Sequence, residues 1–192
     1  LMEHLKNHHG ERSMVVLRPA DGEETVMAWK LAVEEHRPVA LVLSRQNIKN
    51  LPTLGASRRE EAAQIAKGGY VVMDSAKPAA VLIATGSEVA TLVEGAELLA
   101  SEGIPVRVVN VPSEGLFRDQ PKSYQESVLP VGVARYGMTS GLPVNLLGLV
   151  GEKGMIHGLD HFGYSAPYTV LDEKFGYNGK TVAAEVKKML GK

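Results

Sequence analysis

The sequence predicts a three-layer α/β/α sandwich built on a mostly parallel sheet. Three observations carry that expectation. Short apolar runs such as "MVVL" (14–17), "VALVLS" (39–44) and "AAVLIATG" (79–86) have the length and composition of buried strands. Amphipathic stretches of helical period lie between them, and strands joined through a helix are usually parallel. From residue 69 onward the elements read β, β, α, β, α, β, β, α, the alternation of an α/β layer structure.

Residues 1–12 read as the end of a helix, with Leu1, Met2 and Leu5 on one face and Gly10 near its C-cap. "SMVVLRP" (13–19) is a short strand stopped by Pro19. In "DGEETVMAWKLAVEE", Asp21 has the chemistry of an N-cap and Glu24 the spacing of a capping box. Val26, Trp29 and Val33, with Met27 and Leu31, supply the apolar face of that helix. "RPVALVLSRQ" returns as a strand, buried over 39–44, that runs directly into Arg45. A guanidinium at the carboxyl end of a parallel strand either grips an anion, phosphate or carboxylate, or pairs with a neighbouring acid. Spacing leaves both open.

"KNLPTLGASRREEAAQIAKGG" (49–69) reads as a linker holding one short polar helix. Its "SRREE" is favoured as a solvated charged face over a phosphate site. "YVVMDS" and "AAVLIATG" are strands. "SEVATLVEGAELLASEG" is an amphipathic helix with Val89, Leu92, Val93, Ala96 and Leu99 on one side, ended by Gly103. "IPVRVVNVP" (104–112) is a strand. "SEGLFRDQPKSYQESVLP" gives one or two short helices broken at Pro121, and "VGVARYG" (131–137) a strand. "MTSGLPVNLLGLVGEKG" reads as loop, "MIHGLDHFG" (155–163) holds the last strand, and "NGKTVAAEVKKMLGK" is a closing helix capped by Asn178.

The chain of 192 residues carries 21 Lys+Arg against 22 Asp+Glu, a net charge of -1. That balance gives no basic surface for nucleic acid or an anionic membrane. No cysteine is present, so disulfides and cysteine metal sites are excluded, as suits a reducing, cytoplasmic setting. No apolar run reaches the roughly 20 residues of a membrane span. The first residue is Leu, and the chain reads as a piece of a longer one.

The Thr85-Gly86-Ser87 turn joins a strand to a helix, where free N–H groups can hold an anion, although Thr85 and Glu88 also have capping-box spacing. Structural capping is the favoured reading. The glycine fingerprints of nucleotide sites and the G-x-S-x-G elbow of serine hydrolases are missing. His4 and His8 stand four apart but lack a third ligand for a metal. His157 and His161 have the spacing to share one side of the last strand, where a structural corner competes with a general-base role.

Five stretches, taken together and in order, resemble the C-terminal part of transketolase. They are "LRPADGEETVMAWKLAVE", "PVALVLSRQN", "VLIATGSEVATLVEGAELLASEGIPVRVVNVPS", "LFRDQPKSYQESVLP" and "FGYSAPYTVLDEKFG". The resemblance implies that residues 1–66 are the tail of the pyrimidine-binding domain plus a linker, and 67–192 the C-terminal domain. It implies ketol transfer from a ketose phosphate to an aldose phosphate in the pentose phosphate pathway, by a homodimer using thiamine diphosphate and magnesium or calcium. Arg45 matches the family's arginine that contacts the substrate phosphate. The metal ligands, the activating glutamate and the substrate histidines of the family precede Leu1, so the chain alone is expected to bind no cofactor and to be inactive. Its expected partners are sugar phosphates and the N-terminal part of the same enzyme. Between Pro130 and Met155 the aromatic residues common in the family are replaced by "VGVARYGMTSGLPVNLLGLVGEKG", which affects loop packing. A C-terminal subunit of a split transketolase, a 2-oxo-acid dehydrogenase β subunit, a deoxyxylulose-phosphate synthase and a stand-alone anion-binding module are the alternatives, with "LSRQN" and "FGYSAP" favouring transketolase.

Overall fold

The computed structural model describes residues 2–55 and 57–192. Leu1, one of the residues expected on the first helix face, lies outside them. In place of a helix over 1–12 there is a 3-10 turn at Met2–His4, followed by an antiparallel bridge between Lys6 and Arg12. Asn7 turns the chain between them: its Oδ1 accepts from the N–H groups of His9 and Glu11. A short polar side chain that satisfies the backbone locally ends a helix rather than extending it.

β1 (Val15–Leu17) and β2 (Val39–Leu41) pair in parallel as a two-stranded sheet, joined by α1 (Gly22–Glu34). The strand expected over 39–44 stops at Leu41 and is only half-buried; Val42 and Leu43 are exposed. With a single neighbouring strand among the described residues, β2 is covered only in part, Val39 and Leu41 packing on the cluster of Val15, Leu17 and Ala28. Only part of the expected helix face is buried. Val26, Trp29 and Val33 point outward, Val33 at 81% exposure, while Ala28, Met27 and Leu31 pack on the sheet. The "SRREE" segment forms α2 (Arg58–Ala62), capped by Ser57 and continued by a 3-10 turn at Ala63–Lys67. It is not a wholly solvated face, because Arg58 is buried.

The second sheet has five strands in the order β3-β5-β4-β6-β7. They are β3 (Tyr70–Met73), β4 (Ala80–Ala84), β5 (Val106–Asn110), β6 (Ala134–Met138) and β7 (Met155–His157). Edge strand β3 is antiparallel and every other pairing is parallel. Central β4 alternates Ala80, Leu82 and Ala84 to one face and Val81 and Ile83 to the other. The first face is covered by α3 (Glu88–Ser101) and α8 (Gly179–Met189). The second is covered by α4 (Glu114–Arg118), α5 (Lys122–Val128) and α6 (Leu147–Val150). This is the expected three-layer sandwich. Val89, Leu92, Val93, Ala96 and Leu99 of α3 are all buried. The stretch after Met138, read as loop, contains a 3-10 turn at Pro143–Leu146 and α6. A helix not foreseen, α7 (Tyr168–Phe175), precedes α8. No helix among the described residues is long and apolar enough to cross a membrane.

The two sheets share polar and apolar contacts. Ala20 and Leu51 join the same core as Tyr70 and Leu82. The residues before 67 therefore pack on the second sheet, as two strands with few helices must in order to cover their apolar faces.

Candidate functional site

An open cleft of about 820 Å³ lies between the segment after β2 and the carboxyl ends of β4 and β6. The chain runs from β4 through α3 to β5 on one side, then through α4 and α5 to β6 on the other side of β4. The sheet thus reverses direction at β4, and ligands of open parallel sheets bind at such a reversal, beyond the strand ends.

Arg45 lies on this cleft, four residues past the end of β2, with an exposed side chain. Among the described residues it has no ion-pair partner. Arg18 and Lys49 also border the cleft, but Arg18 pairs with Glu3 at 3.1 Å and Lys49 with Glu94 at 3.1 Å. Arg45 is the guanidinium left open to an anion there.

The facing wall is acidic and hydroxylated. The Thr85-Gly86-Ser87 turn does not make the expected capping box. Gly86 takes a left-handed φ of +65°, which moves the helix start to Glu88 with Ser87 as an N-cap whose side chain makes no capping hydrogen bond. Thr85 Oγ1 points instead toward the Arg18 carbonyl, at 3.5 Å. Burial pushes the Glu88 carboxyl up, opposed by its own amide and by the Ser140 and Ser87 hydroxyls. Burial also raises Asp172, on the same cleft. The Tyr177 phenol is pushed up to about 12 by burial and then by the nearby Glu88 and Asp172. Apart from the capping-box spacing of Glu88, neither Glu88 nor Asp172 gave a signal in the sequence, because each is one acid among 22 until the fold places it.

Neither candidate histidine pair shares the element face expected of it. The 3-10 turn ends at His4, so His4 and His8 do not share a helix face; His4 lies 3.6 Å from Glu114. β7 ends at His157, leaving the exposed His161 in the following loop rather than on the same strand face. His157 is a structural link: Nδ1 lies 3.2 Å from both Glu185 carboxylate oxygens and Nε2 2.8 Å from the Phe175 carbonyl. Among the described residues no three His, Cys, Asp or Glu side chains converge on a metal position.

A three-layer α/β sandwich with its cleft at the strand ends, and an arginine projecting from a partial second α/β unit, is the class of structure defined here. Residues 68–178 match the family model described as the transketolase-like TK C-terminal domain. The chain is 40% identical over its whole length to a transketolase of Geobacillus stearothermophilus, of which it covers 29%. A transketolase mutant of Pichia stipitis, crystallised with xylulose 5-phosphate, superposes with a TM-score of 0.82 at 32% identity, over 95% of this chain and 26% of that one. A split-gene transketolase, an inactive beta4 tetramer, matches 99% of this chain and 60% of its own at a TM-score of 0.73; at 22% identity this shows the fold alone. The chain belongs to the transketolase family and corresponds to its C-terminal portion. It spans about a quarter to just over a third of the length of the curated relatives it matches, 29%, 26% and 36% for three of them.

Proposed function

We propose that this chain is the sugar-phosphate-gripping edge and C-terminal domain of a transketolase, residues 1–66 being the tail of the pyrimidine-binding domain with its linker. The observation that carries this is Arg45: exposed on the cleft beyond β2, without a carboxylate partner among the described residues. In this reading the guanidinium holds the phosphate of a ketose or aldose through paired, charge-assisted hydrogen bonds. That contact fixes the far end of the sugar and limits the positions its reacting carbons can take.

In the whole enzyme a two-carbon ketol unit passes from a ketose phosphate to an aldose phosphate with thiamine diphosphate and magnesium or calcium. The described residues do not fit that cofactor, since no three of their His, Cys, Asp or Glu side chains converge to bind its metal. The cofactor-binding groups therefore belong to the N-terminal part, and no chemical step is assigned to residues of this chain. The isolated chain is accordingly inactive, and the working enzyme is an assembly, a homodimer in the family's manner, of this chain with that part. Assay of the purified 192-residue chain with a ketose donor and aldose acceptor tests this; turnover would overturn it.

The test of Arg45 is Arg45→Ala in the assembled enzyme. Hydrogen bonds to a charged group contribute about 1.5–3 kcal/mol, so KM for the sugar phosphate should rise about 10- to 100-fold. Because a remote phosphate contact acts in ground and transition states alike, kcat should change little. An unchanged KM would remove Arg45 from the site.

A further inference from the structure

Helix α7 buries none of its side chains. A helix of this length is not stable by itself in water, where about 12–15 residues are needed even for favourable sequences. It therefore depends on its attachments. Before it, the Leu159 amide donates to the Gly141 carbonyl at 3.0 Å. After it, the Tyr177 hydroxyl donates to the Thr139 carbonyl at 2.8 Å. At its last residue, His157 of β7 reaches the Phe175 carbonyl with Nε2 at 2.8 Å. The imidazole lies directly against the turn that ends the helix: a Cβ added at Gly176 would stand 3.2 Å from His157 Cε1. The same segment is a wall of the cleft, lined by Gly163, Tyr168, Leu171, Asp172 and Phe175.

The Phe175 carbonyl belongs to the last turn of α7, where carbonyls lack a partner within the helix and a nearby cation meets the negative end of the helix dipole. The other ring nitrogen of His157, Nδ1, lies 3.2 Å from both Glu185 carboxylate oxygens. Two acceptors on opposite sides of one ring require two N–H groups, and only the imidazolium has both. A neutral ring keeps one. Beside a carboxylate that one is Nδ1–H, because a charged acceptor is the stronger partner. The Nε2 lone pair then faces the lone pairs of the Phe175 oxygen, and the contact turns from attraction to repulsion. The link to α7 is broken while the link to α8 stays.

We propose that His157 is a protonation-dependent latch on the cleft wall: the imidazolium ties the end of α7 to α8, and loss of its proton frees α7 to swing outward and widen the cleft. The latch acts on the wall itself, whether or not Arg45 grips a phosphate. The groups packed around the ring set where it switches. From α8 come Glu185 and, near it, Lys188; from β6 comes the Tyr136 hydroxyl, which donates to Glu185 at 2.7 Å. Tyr177 stands edge-on to the imidazole at 5.0 Å between centroids, with Glu88 of α3 and Asp172 of α7 near its phenol. His161 lies across Phe175, 5.6 Å between rings. The bond to Glu185 holds the His157 pKa above the ordinary 6.5, so the latch is closed at acid pH and opens as pH rises through the raised value. The Tyr177 phenol, pushed up to about 12 by burial, keeps its proton across that transition.

Amide hydrogen exchange of the full 192-residue chain, corrected for the intrinsic pH dependence of exchange, tests the latch. Between about pH 6 and about pH 9 the opening of residues 168–177 should rise about 10-fold, while α3 keeps its protection. Glu185→Gln should move the midpoint to lower pH, because no carboxylate then holds the proton on the ring. His157→Gln should abolish the step and His161→Gln should leave it in place. Ring nitrogen chemical shifts of His157 should show the imidazolium below the step and the Nδ1–H tautomer above it. Opening that does not change with pH, a step that survives His157→Gln or is lost in His161→Gln, or an Nε2–H tautomer above the step overturns the latch. The unsubstituted chain's exchange profile and ring shifts decide the matter by themselves where a variant fails to fold.

Discussion

The amide of Asn110 donates to both carboxylate oxygens of Glu24, at 2.8 and 3.0 Å, and so ties the first helix to the central region of the five-stranded sheet across 86 residues. Glu24 also accepts from the Tyr70 hydroxyl at 2.7 Å and from the Ala20 amide at 2.6 Å. Arg58 completes the cluster, donating from Nε to Asp21 at 2.5 Å and from Nη2 to Tyr70 at 2.8 Å. Burial raises the Glu24 carboxyl, against the pull of these donors. All five side chains are buried. The two sheets are therefore joined by a network in which each charge depends on its partners.

Removing one member of such a network leaves the others buried and unpaired. Arg58→Ala should lower unfolding free energy by about 3–5 kcal/mol in urea denaturation. Arg59→Ala, next in sequence but exposed and paired with Glu23 at 2.9 Å, should change it by about 0.5 kcal/mol or less. Equal effects of the two would show that the network adds nothing to stability.

His157 faces two acceptors, the Glu185 carboxylate and the Phe175 carbonyl, so both ring nitrogens donate only when the imidazole is protonated. Its hydrogen bond to Glu185 raises its pKa above the ordinary 6.5, against burial and with further help from the Glu185 charge and the Phe175 carbonyl. Burial pushes Glu185 up, but hydrogen bonds from His157 and Tyr136 outweigh it and leave the carboxyl below its ordinary 4.5. A raised histidine contributes stability that is complete below about pH 6.5 and is lost as pH rises through its folded value. The lowered acid contributes above about pH 4.5 and is lost as pH falls through its own folded value. Thermal stability should therefore decline on the alkaline side of pH 6.5, and His157→Gln should flatten that limb. An identical limb in the variant would show that another group sets it.

Helices α3 and α8 cross at Gly95 and Gly179. A Cβ added at Gly95 would stand 2.6 Å from Val182 Cβ, and one at Gly179 would stand 2.9 Å from Glu94 Cβ. In an exposed helix Gly→Ala gains about 1 kcal/mol. Here overpacking costs typically about 1–3 kcal/mol, so Gly95→Ala should lower rather than raise the melting temperature. A higher melting temperature would mean the helices separate at little cost.

If Arg45 grips phosphate, the penalty of Arg45→Ala in the assembled enzyme should vanish for an unphosphorylated ketose donor. Comparing kcat/KM for the two donors in both enzymes gives the coupling directly. A similar loss for both donors would assign Arg45 to the scaffold.

The sequence alone determined the layer architecture, because buried strands and amphipathic helices announce themselves through local hydrophobic period. The run 80–84 is apolar at every position, and the buried side of α3 is spaced as one helical face. It also determined the family, through five ordered stretches, and with it the interest in Arg45. Tertiary structure decided what depends on neighbours distant in the chain. Val26, Trp29 and Val33 have the period of a core face, but the two-stranded sheet lies under Met27, Ala28 and Leu31 instead. Nothing local distinguishes Arg58, buried on Asp21, from Arg59 in solvent. The shared environment of Glu88, Asp172 and Tyr177 exists only because β4, β6 and the 159–177 segment meet at one end of the sheet. Periodicity is written in the chain; burial and charge pairing are properties of what the folded chain brings alongside.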